Sequence, residues 1–238
     1  MSLIRTIDET EYPESDGKPM GETDLHIDWM IRLRDILRLR YRDERVYVAS
    51  NLLLYYREGD PSQFVVPDLF VVKDCDPGRR RTFKAWEEGK TPNVVIEVTS
   101  RSSRQDDEVT KFQIYARLGV QEYFLYDPTA DYLDPPLQGF RLKRRKYARI
   151  DPEATGTFSC QQLNVTLRLE ERDLVLSDGS SGQRLLTAGE AAEAIRQAET
   201  AARQVAEAAR AAAEQRVASL ETELQRLRAE LSRRPRDA

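Results

Sequence analysis

Apolar positions repeat at two different spacings in the first half of the chain. From about residue 22 to residue 41 they recur every three to four positions, which predicts an amphipathic helix packed on a core. Short runs rich in β-branched and aromatic residues then predict strands at residues 46–50, 52–56, 64–72 and 93–100. A helical pattern from about Ser103 to Leu118 ends at Gly119 and leads to a strand at 122–127. These last elements form a βαβ unit with parallel strands, so the pattern predicts an α/β core.

The second half of the chain changes from strand patterns to one long helical pattern. Residues 139–150, 163–170 and 173–176 predict further strands, which extend the same domain. From Thr187 to Leu231 there is no proline, and alanine, glutamate, arginine and leucine dominate. We therefore expect one domain over residues 1–186 and a helical coiled-coil tail over residues 187–238.

The predicted tail has an apolar seam with alternating steps of three and four residues. Its members are Ile195, Ala198, Ala202, Val205, Ala209, Val217, Leu220, Leu224, Leu227 and Leu231, with a stutter at Ala213. A leucine-rich seam pairs more strongly than an alanine-rich one, so we expect pairing to be firmest over residues 217–231. The partner is open at this point: a homodimer or higher homo-oligomer, another coiled-coil protein, or the chain's own domain.

Composition narrows the cell compartment and the chemistry. The two cysteines, Cys75 and Cys160, fit no metal-ligand spacing and predict reduced thiols, and no run is apolar enough for a membrane span or signal peptide. We therefore expect a cytoplasmic protein with no membrane partner. The formal net charge of −4 argues against a generally basic nucleic-acid binder, so contact with DNA must be local. Because His26 is the single histidine, the chemistry must rest on carboxylates and lysine.

Two carboxylates interrupt runs that are otherwise apolar. Asp68 lies in FVVPDLFVV (64–72) and Glu97 lies in VVIEV (94–98), where alternation puts Val95, Glu97 and Thr99 on one face. A buried carboxylate is costly unless it is paired or binds a metal. If the two strands are neighbours, both acids can hold one Mg²⁺ or Mn²⁺, which would activate a water for phosphodiester hydrolysis. We therefore predict that Asp68 and Glu97 are metal ligands and catalytic residues.

A lysine on the following helix completes the predicted site. Asp107, Lys111 and Tyr115 are four residues apart and line one stripe of the helix, from which Lys111 could reach Glu97. It would then stabilise negative charge on the attacked phosphate, with Asp107 as a lesser catalytic candidate. The alternative is an exposed Asp107–Lys111 pair of the kind found on many helices.

These residues resemble a family described as putative restriction endonucleases within the PD-(D/E)XK nuclease superfamily. The resemblance covers roughly residues 12–190. It rests on Pro67-Asp68, Glu97-Val98-Thr99-Ser100, Asp107 through Lys111 to Tyr115, Gly119-Val120-Gln121-Glu122-Tyr123 and Tyr126-Asp127-Pro128. It implies a restriction-endonuclease-like mixed β-sheet flanked by helices, with Asp68 and Glu97 matching the metal-binding acids. The superfamily's usual lysine position is occupied by Thr99, and Lys111 matches the lysine of this family instead.

Other polar residues are weaker candidates. Glu22 opens the first predicted helix, where related nucleases place an acid near the metal, although the helix dipole alone favours an acid there. His26, one turn later, could contact substrate or could be a buried histidine at the edge of the core. A basic cluster in a predicted hairpin is a candidate DNA-binding surface or a solvated face; its members are Arg141, Lys143, Arg144, Arg145 and Lys146.

The sequence thus predicts a Mg²⁺- or Mn²⁺-dependent endonuclease that hydrolyses DNA phosphodiester bonds and works as a homodimer. One alternative is a catalytically silent nuclease fold that binds DNA or serves as a scaffold through its coiled coil. Another is a nuclease that acts on branched or mobile-element DNA. The sequence does not separate these substrates.

Overall fold

The computed structural model describes residues 10–15, 17, 23–100, 103 and 106–233. Two compact units divide the chain between Thr187 and Ala188. The helices of the first unit are α1 (Asp24–Arg40), α2 (Ala85–Glu88) and α3 (Phe112–Leu118), with a π-helical segment at Asp106–Lys111. Its strands are β1 (Val46–Ala49), β2 (Leu54–Tyr55), β3 (Phe64–Val65), β4 (Leu69–Lys73), β5 (Phe83–Lys84), β6 (Val94–Val98), β7 (Glu122–Tyr126), β8 (Leu137–Lys143), β9 (Lys146–Arg149), β10 (Phe158–Cys160), β11 (Val165–Glu170) and β12 (Asp173–Asp178).

A mixed six-stranded sheet forms the centre of the first unit, in the order β1-β4-β6-β7-β8-β9. Strands β6 and β7 are parallel, as the βαβ pattern predicted, and the other neighbours are antiparallel. The prediction of a mixed β-sheet flanked by helices is therefore confirmed.

Both faces of the central sheet are apolar and covered. On one face, Val94, Ile96 and Val98 of β6 join a buried cluster with α1 and the sheet β10-β11-β12. On the other face, Val95 joins a cluster with Tyr115 of α3 and the small sheet β3-β2-β5. Because side chains alternate along a strand, Glu97 projects to the same side as Val95, towards α3.

The prediction of one continuous strand over residues 64–72 is wrong. The chain breaks at Pro67-Asp68, so β3 pairs with β2 in the small sheet while β4 pairs within the central sheet. Proline has no amide hydrogen for a strand ladder, and here the carbonyl oxygens of Pro67 and Asp68 accept from Asn51 N–H instead. Asp68 therefore lies immediately before β4 and not within a strand.

One further departure concerns the helix predicted from residue 103 to residue 118. It has a π-helical segment before α3, a wider turn that is frequent at functional sites. The polar connection at residues 73–92 contains β5 and α2.

The second unit contains α4, a helix of 46 residues from Ala188 to Arg233. Its larger apolar side chains are exposed, among them Ile195, Val205 and Leu220. No described helix is long and apolar enough to cross a membrane.

Candidate active site

Asp68 and Glu97 meet where the chain enters β4 beside β6. Leu69 is paired with Ile96, which places the residues next to them side by side. The Asp68 amide donates to Glu97 Oε2 at 3.1 Å, and the Val98 amide donates to Asp68 Oδ2 at 2.8 Å. The break at Pro67 thus lets two acidic side chains share one corner of the sheet.

The π-helical segment and α3 cover this corner on the face of the central sheet to which Glu97 projects. Lys111 Nζ lies 3.0 Å from Glu97 Oε2 and 3.0 Å from Asp107 Oδ1. Tyr115 donates its hydroxyl hydrogen to Glu97 Oε1 at 2.6 Å. Since Glu97, Asp107 and Tyr115 are all fully buried, the alternative of an exposed Asp107–Lys111 pair is wrong.

Helix α1 brings His26 to the same site. Thr23 caps this helix by accepting from the His26 amide, and His26 Nε2 lies 3.0 Å from Asp68 Oδ2. His26 is buried, so it positions Asp68 from inside the protein. Thr99, at the superfamily's lysine position, is also buried. The candidate Glu22 lies outside the described residues.

Burial and mutual repulsion give the acids different pKa values. Burial raises the pKa of Glu97 well above its usual range and also raises the pKa of Asp107, although Lys111 opposes both shifts. Burial acts to raise the pKa of Asp68 as well, but the contact with His26 and the charge of Lys111 outweigh it and lower that pKa. Burial acts to lower the pKa of Lys111, yet the three surrounding carboxylates raise it well above its usual range. The site thus has three carboxyl groups beside a single lysine.

A divalent cation fits this donor set. Among the described residues no group of three or more His, Cys, Asp and Glu side chains could hold a metal ion, so a cation beside Asp68 and Glu97 would have at most two such ligands from these residues. Mg²⁺ is commonly held by one or two carboxylates and completes its shell with water and substrate phosphate. Solvent reaches the site at Asp68 and Lys111, whose side chains are 13% and 12% exposed.

Comparison with known protein families identifies the family of this chain. The family model described as "Uma2: Putative restriction endonuclease" matches residues 9–170. The chain belongs to the Uma2 family. A crystal structure described as a putative nuclease belonging to DUF820, from Anabaena variabilis, is 17% identical, with a TM-score of 0.45 over 63% of this chain and 81% of that chain. No curated protein matches the sequence.

The basic cluster of this Uma2-family chain divides into two parts. Arg141 donates to Glu122 Oε1, at 2.9 Å from Nε and 2.7 Å from Nη2, and to the carbonyl oxygen of Ser159. The charge of Arg141 is therefore paired with Glu122 inside the domain. The other four members are exposed at the tip of the β8–β9 hairpin; they are Lys143, Arg144, Arg145 and Lys146.

Two further buried acids, Glu122 and Asp127, form polar centres that the sequence did not single out, although both lie in the motifs on which the family resemblance rests. Glu122 accepts from Arg141, the Gln161 and Gln162 amides and the Cys160 thiol. Asp127 accepts hydrogen bonds from the loop that follows β7, and its pKa is lowered. The available signal was an acid at each end of a strand whose other members are apolar or aromatic.

Proposed function

We propose that this protein is an endonuclease that hydrolyses DNA phosphodiester bonds with a divalent metal, Mg²⁺ or Mn²⁺, held by Asp68 and Glu97. The observation that carries the proposal is the convergence of three carboxyl groups on one lysine in a buried corner. Asp68, Glu97 and Asp107 surround Lys111, which carries one charge. Buried carboxylates without a compensating cation are strongly unfavourable, and a divalent ion would supply the missing charge.

Each side chain has a distinct task in this proposal. A bound metal of this kind lowers the pKa of a coordinated water and neutralises charge on the attacked phosphate. Lys111, 3.0 Å from Glu97, presents an ammonium that stabilises the additional negative charge of the transition state. Tyr115 fixes the Glu97 carboxylate by its hydrogen bond, and His26 fixes Asp68. Fixed ligands reduce the reorganisation that would otherwise add to the barrier.

The exposed tip of the β8–β9 hairpin is the proposed DNA-contact surface. Arg144 and Arg145 both have positive φ, 48° and 65°, as a tight two-residue hairpin turn requires. The turn holds four cationic side chains together on an otherwise acidic chain. Such a cluster suits phosphate contact, which positions DNA without reading its sequence.

The direct test is cleavage of supercoiled plasmid in the presence of Mg²⁺ or Mn²⁺. Asp68→Asn and Glu97→Gln should each reduce nicking by about 100-fold or more, because each removes a charged ligand at nearly constant volume. Asp106→Asn is the matched control, since Asp106 is an exposed acid beside the site. Nicking by the two site variants at the wild-type rate would overturn the assignment.

Calorimetric titration with Mn²⁺ separates an active enzyme from a silent nuclease fold. Wild type and Asp106→Asn should bind the ion, whereas Asp68→Asn and Glu97→Gln should bind it at least tenfold more weakly. Absence of binding to the wild-type protein would favour the silent DNA-binding or scaffold alternative.

A further inference from the structure

The last turns of α4 carry an exposed apolar stripe with charged residues on both sides. We call residues 216–231 the distal segment. Its side chains Val217, Leu220, Leu224 and Leu227 are 55%, 54%, 48% and 53% exposed. Their spacing of three, four and three residues keeps them on one side of the helix. Four large apolar groups in a row on an exposed helix indicate an interaction surface.

The heptad positions follow from this spacing. Val217 and Leu224 occupy position a, and Leu220 and Leu227 occupy position d. The flanking g positions are then Arg216 and Glu223, and the flanking e positions are Glu221 and Arg228. Because e and g residues border the seam, their charges select the partner and its orientation.

The charges match a second copy of the same chain in one orientation. In a parallel in-register pair, a g residue meets the e residue five positions later on the other helix. Arg216 then meets Glu221 of the second copy, and Glu223 meets Arg228 of the second copy. Two-fold symmetry repeats both contacts, so all these pairs are of opposite sign.

An antiparallel pair with the same apolar layers is disfavoured. Stacking Val217 on Leu227 and Leu220 on Leu224 places the centre of symmetry at residue 222. Glu221 would then face Glu221 of the second copy, and Glu223 would face Glu223 of the second copy. Like charges at the centre of the seam oppose this arrangement.

We propose that the distal segment binds a second copy of itself as a parallel, in-register, two-stranded coiled coil. A β-branched residue at a with leucine at d, as in Val217 and Leu220, favours two strands. The earlier part of α4 lacks such border pairs, because alanine occupies its g positions. There Arg203 and Arg210 pair within the helix with Glu207 and Glu214. Within the described part of α4, none of the four border residues of the distal segment has an ion-pair partner of this kind. Their charges remain for the second copy.

The first test is the mass of the full-length protein by sedimentation equilibrium. We expect a dimer, and a monomer or a trimer would each overturn the proposal. The orientation needs separate tests, because mass alone does not distinguish parallel from antiparallel pairs.

Charge reversal tests the border pairs. Glu223→Arg alone places arginine against Arg228, and Arg228→Glu alone places glutamate against Glu223. Each should raise the dimer dissociation constant by about tenfold. Mixing the two single variants should restore affinity to within about threefold of wild type, because the mixed pair has opposite charges at both sites. Arg226→Glu, on the outer side of the helix, is the matched control and should leave the dimer unchanged.

A new cysteine tests the orientation. Val217→Cys creates a thiol at the first a position of the distal segment, where parallel copies face one another. In the antiparallel register the two thiols would be about 15 Å apart along the axis, too far for a disulfide. Mild oxidation should link the variant into dimers and leave wild type unlinked, because Cys75 and Cys160 are buried. A dimer that forms no link, or single charge variants that are not rescued by mixing, would overturn the parallel arrangement.

Discussion

Four buried acidic residues of the first unit, Glu97, Asp107, Glu122 and Asp127, lie in two opposite kinds of environment. Glu122 and Asp127 are surrounded by donors, and the hydrogen bonds to Asp127 lower its pKa. Glu97 and Asp107 lie beside other carboxylates, and burial raises their pKa values. The first pair is compensated within the fold and is structural. The second pair is compensated in part by Lys111.

Asp127 should stabilise the protein at neutral pH. Its carboxylate accepts from the amides of Thr129, Ala130, Tyr132 and Leu133 and from the Thr129 hydroxyl. Asp127→Asn replaces one carboxylate oxygen by an NH₂ group, which donates and therefore faces the amide donors without an acceptor. We expect the free energy of unfolding at pH 7 to fall by about 3 kcal/mol.

The pH dependence follows from the lowered pKa of Asp127. A depressed folded-state pKa contributes stability above the unfolded value of about 3.9 and loses it as pH falls through the folded value. The gap between wild type and Asp127→Asn should therefore narrow below about pH 4 in urea unfolding. Asp131→Asn, at an exposed position in the same loop, should match wild type at every pH. A constant gap would show that Asp127 does not act through its charge.

Lys111 should be required for cleavage but not for metal binding. Lys111→Met removes the ammonium between Glu97 and Asp107, which leaves their negative charge for the ion. We expect Mn²⁺ affinity by calorimetry to be equal to or higher than that of wild type, while plasmid cleavage falls by about 100-fold or more. Loss of Mn²⁺ binding would instead mean that Lys111 arranges the ligands.

At the scale of elements, local sequence patterns predicted the face of a strand on which a side chain lies better than they predicted where a strand is interrupted. The side to which Glu97 projects follows from alternation within β6, so the sequence could predict it. The break at Pro67 was missed because β3 and β4 take partners in different sheets, which depends on residues far away in the chain. Pro67 itself was the available signal, since proline is unsuited to a central strand. The π-helical segment had no comparable signal, and the donors to Asp127 come from a loop whose path is not periodic.

Strand β8 should tolerate no side chain at Gly139. A Cβ there would lie 2.9 Å from Cε1 of Phe124 and 3.1 Å from Cδ1 of Phe158, both buried. Gly139→Ala should therefore lower the free energy of unfolding by about 2 kcal/mol. Adding Phe124→Leu in a double-mutant cycle should recover part of this loss, because Phe124 makes the closest contact and the smaller side chain makes room. Additive effects of the two substitutions would contradict the steric explanation.

The β8–β9 hairpin should contribute to DNA affinity through charge. Replacing Lys143 and Lys146, which are paired in register, by glutamine should reduce the slope of log affinity against log salt by about two. The control replaces Lys73 and Lys90 by glutamine, which removes the same charge near the end of β4. An equal reduction in both double variants would show that net charge, and not the hairpin, determines binding.

At the scale of the whole molecule, the proposed parallel coiled coil would join two copies of the chain, and with them two nuclease-family domains. Cutting both strands of a duplex needs two sites or two encounters, and a dimer supplies both sites in one encounter. Wild type should therefore convert supercoiled plasmid directly to linear DNA in a fraction of events.

Glu223→Arg, far from Asp68 and Glu97 in sequence, should keep the nicking rate and lower the linear-to-nicked ratio at protein concentrations where the variant is monomeric. Mixing it with Arg228→Glu should restore that ratio. If nicking and linearisation fall together, the tail contributes to catalysis itself. If neither changes although the dimer is lost, the two strands are cut in separate encounters, and the coiled coil has another purpose.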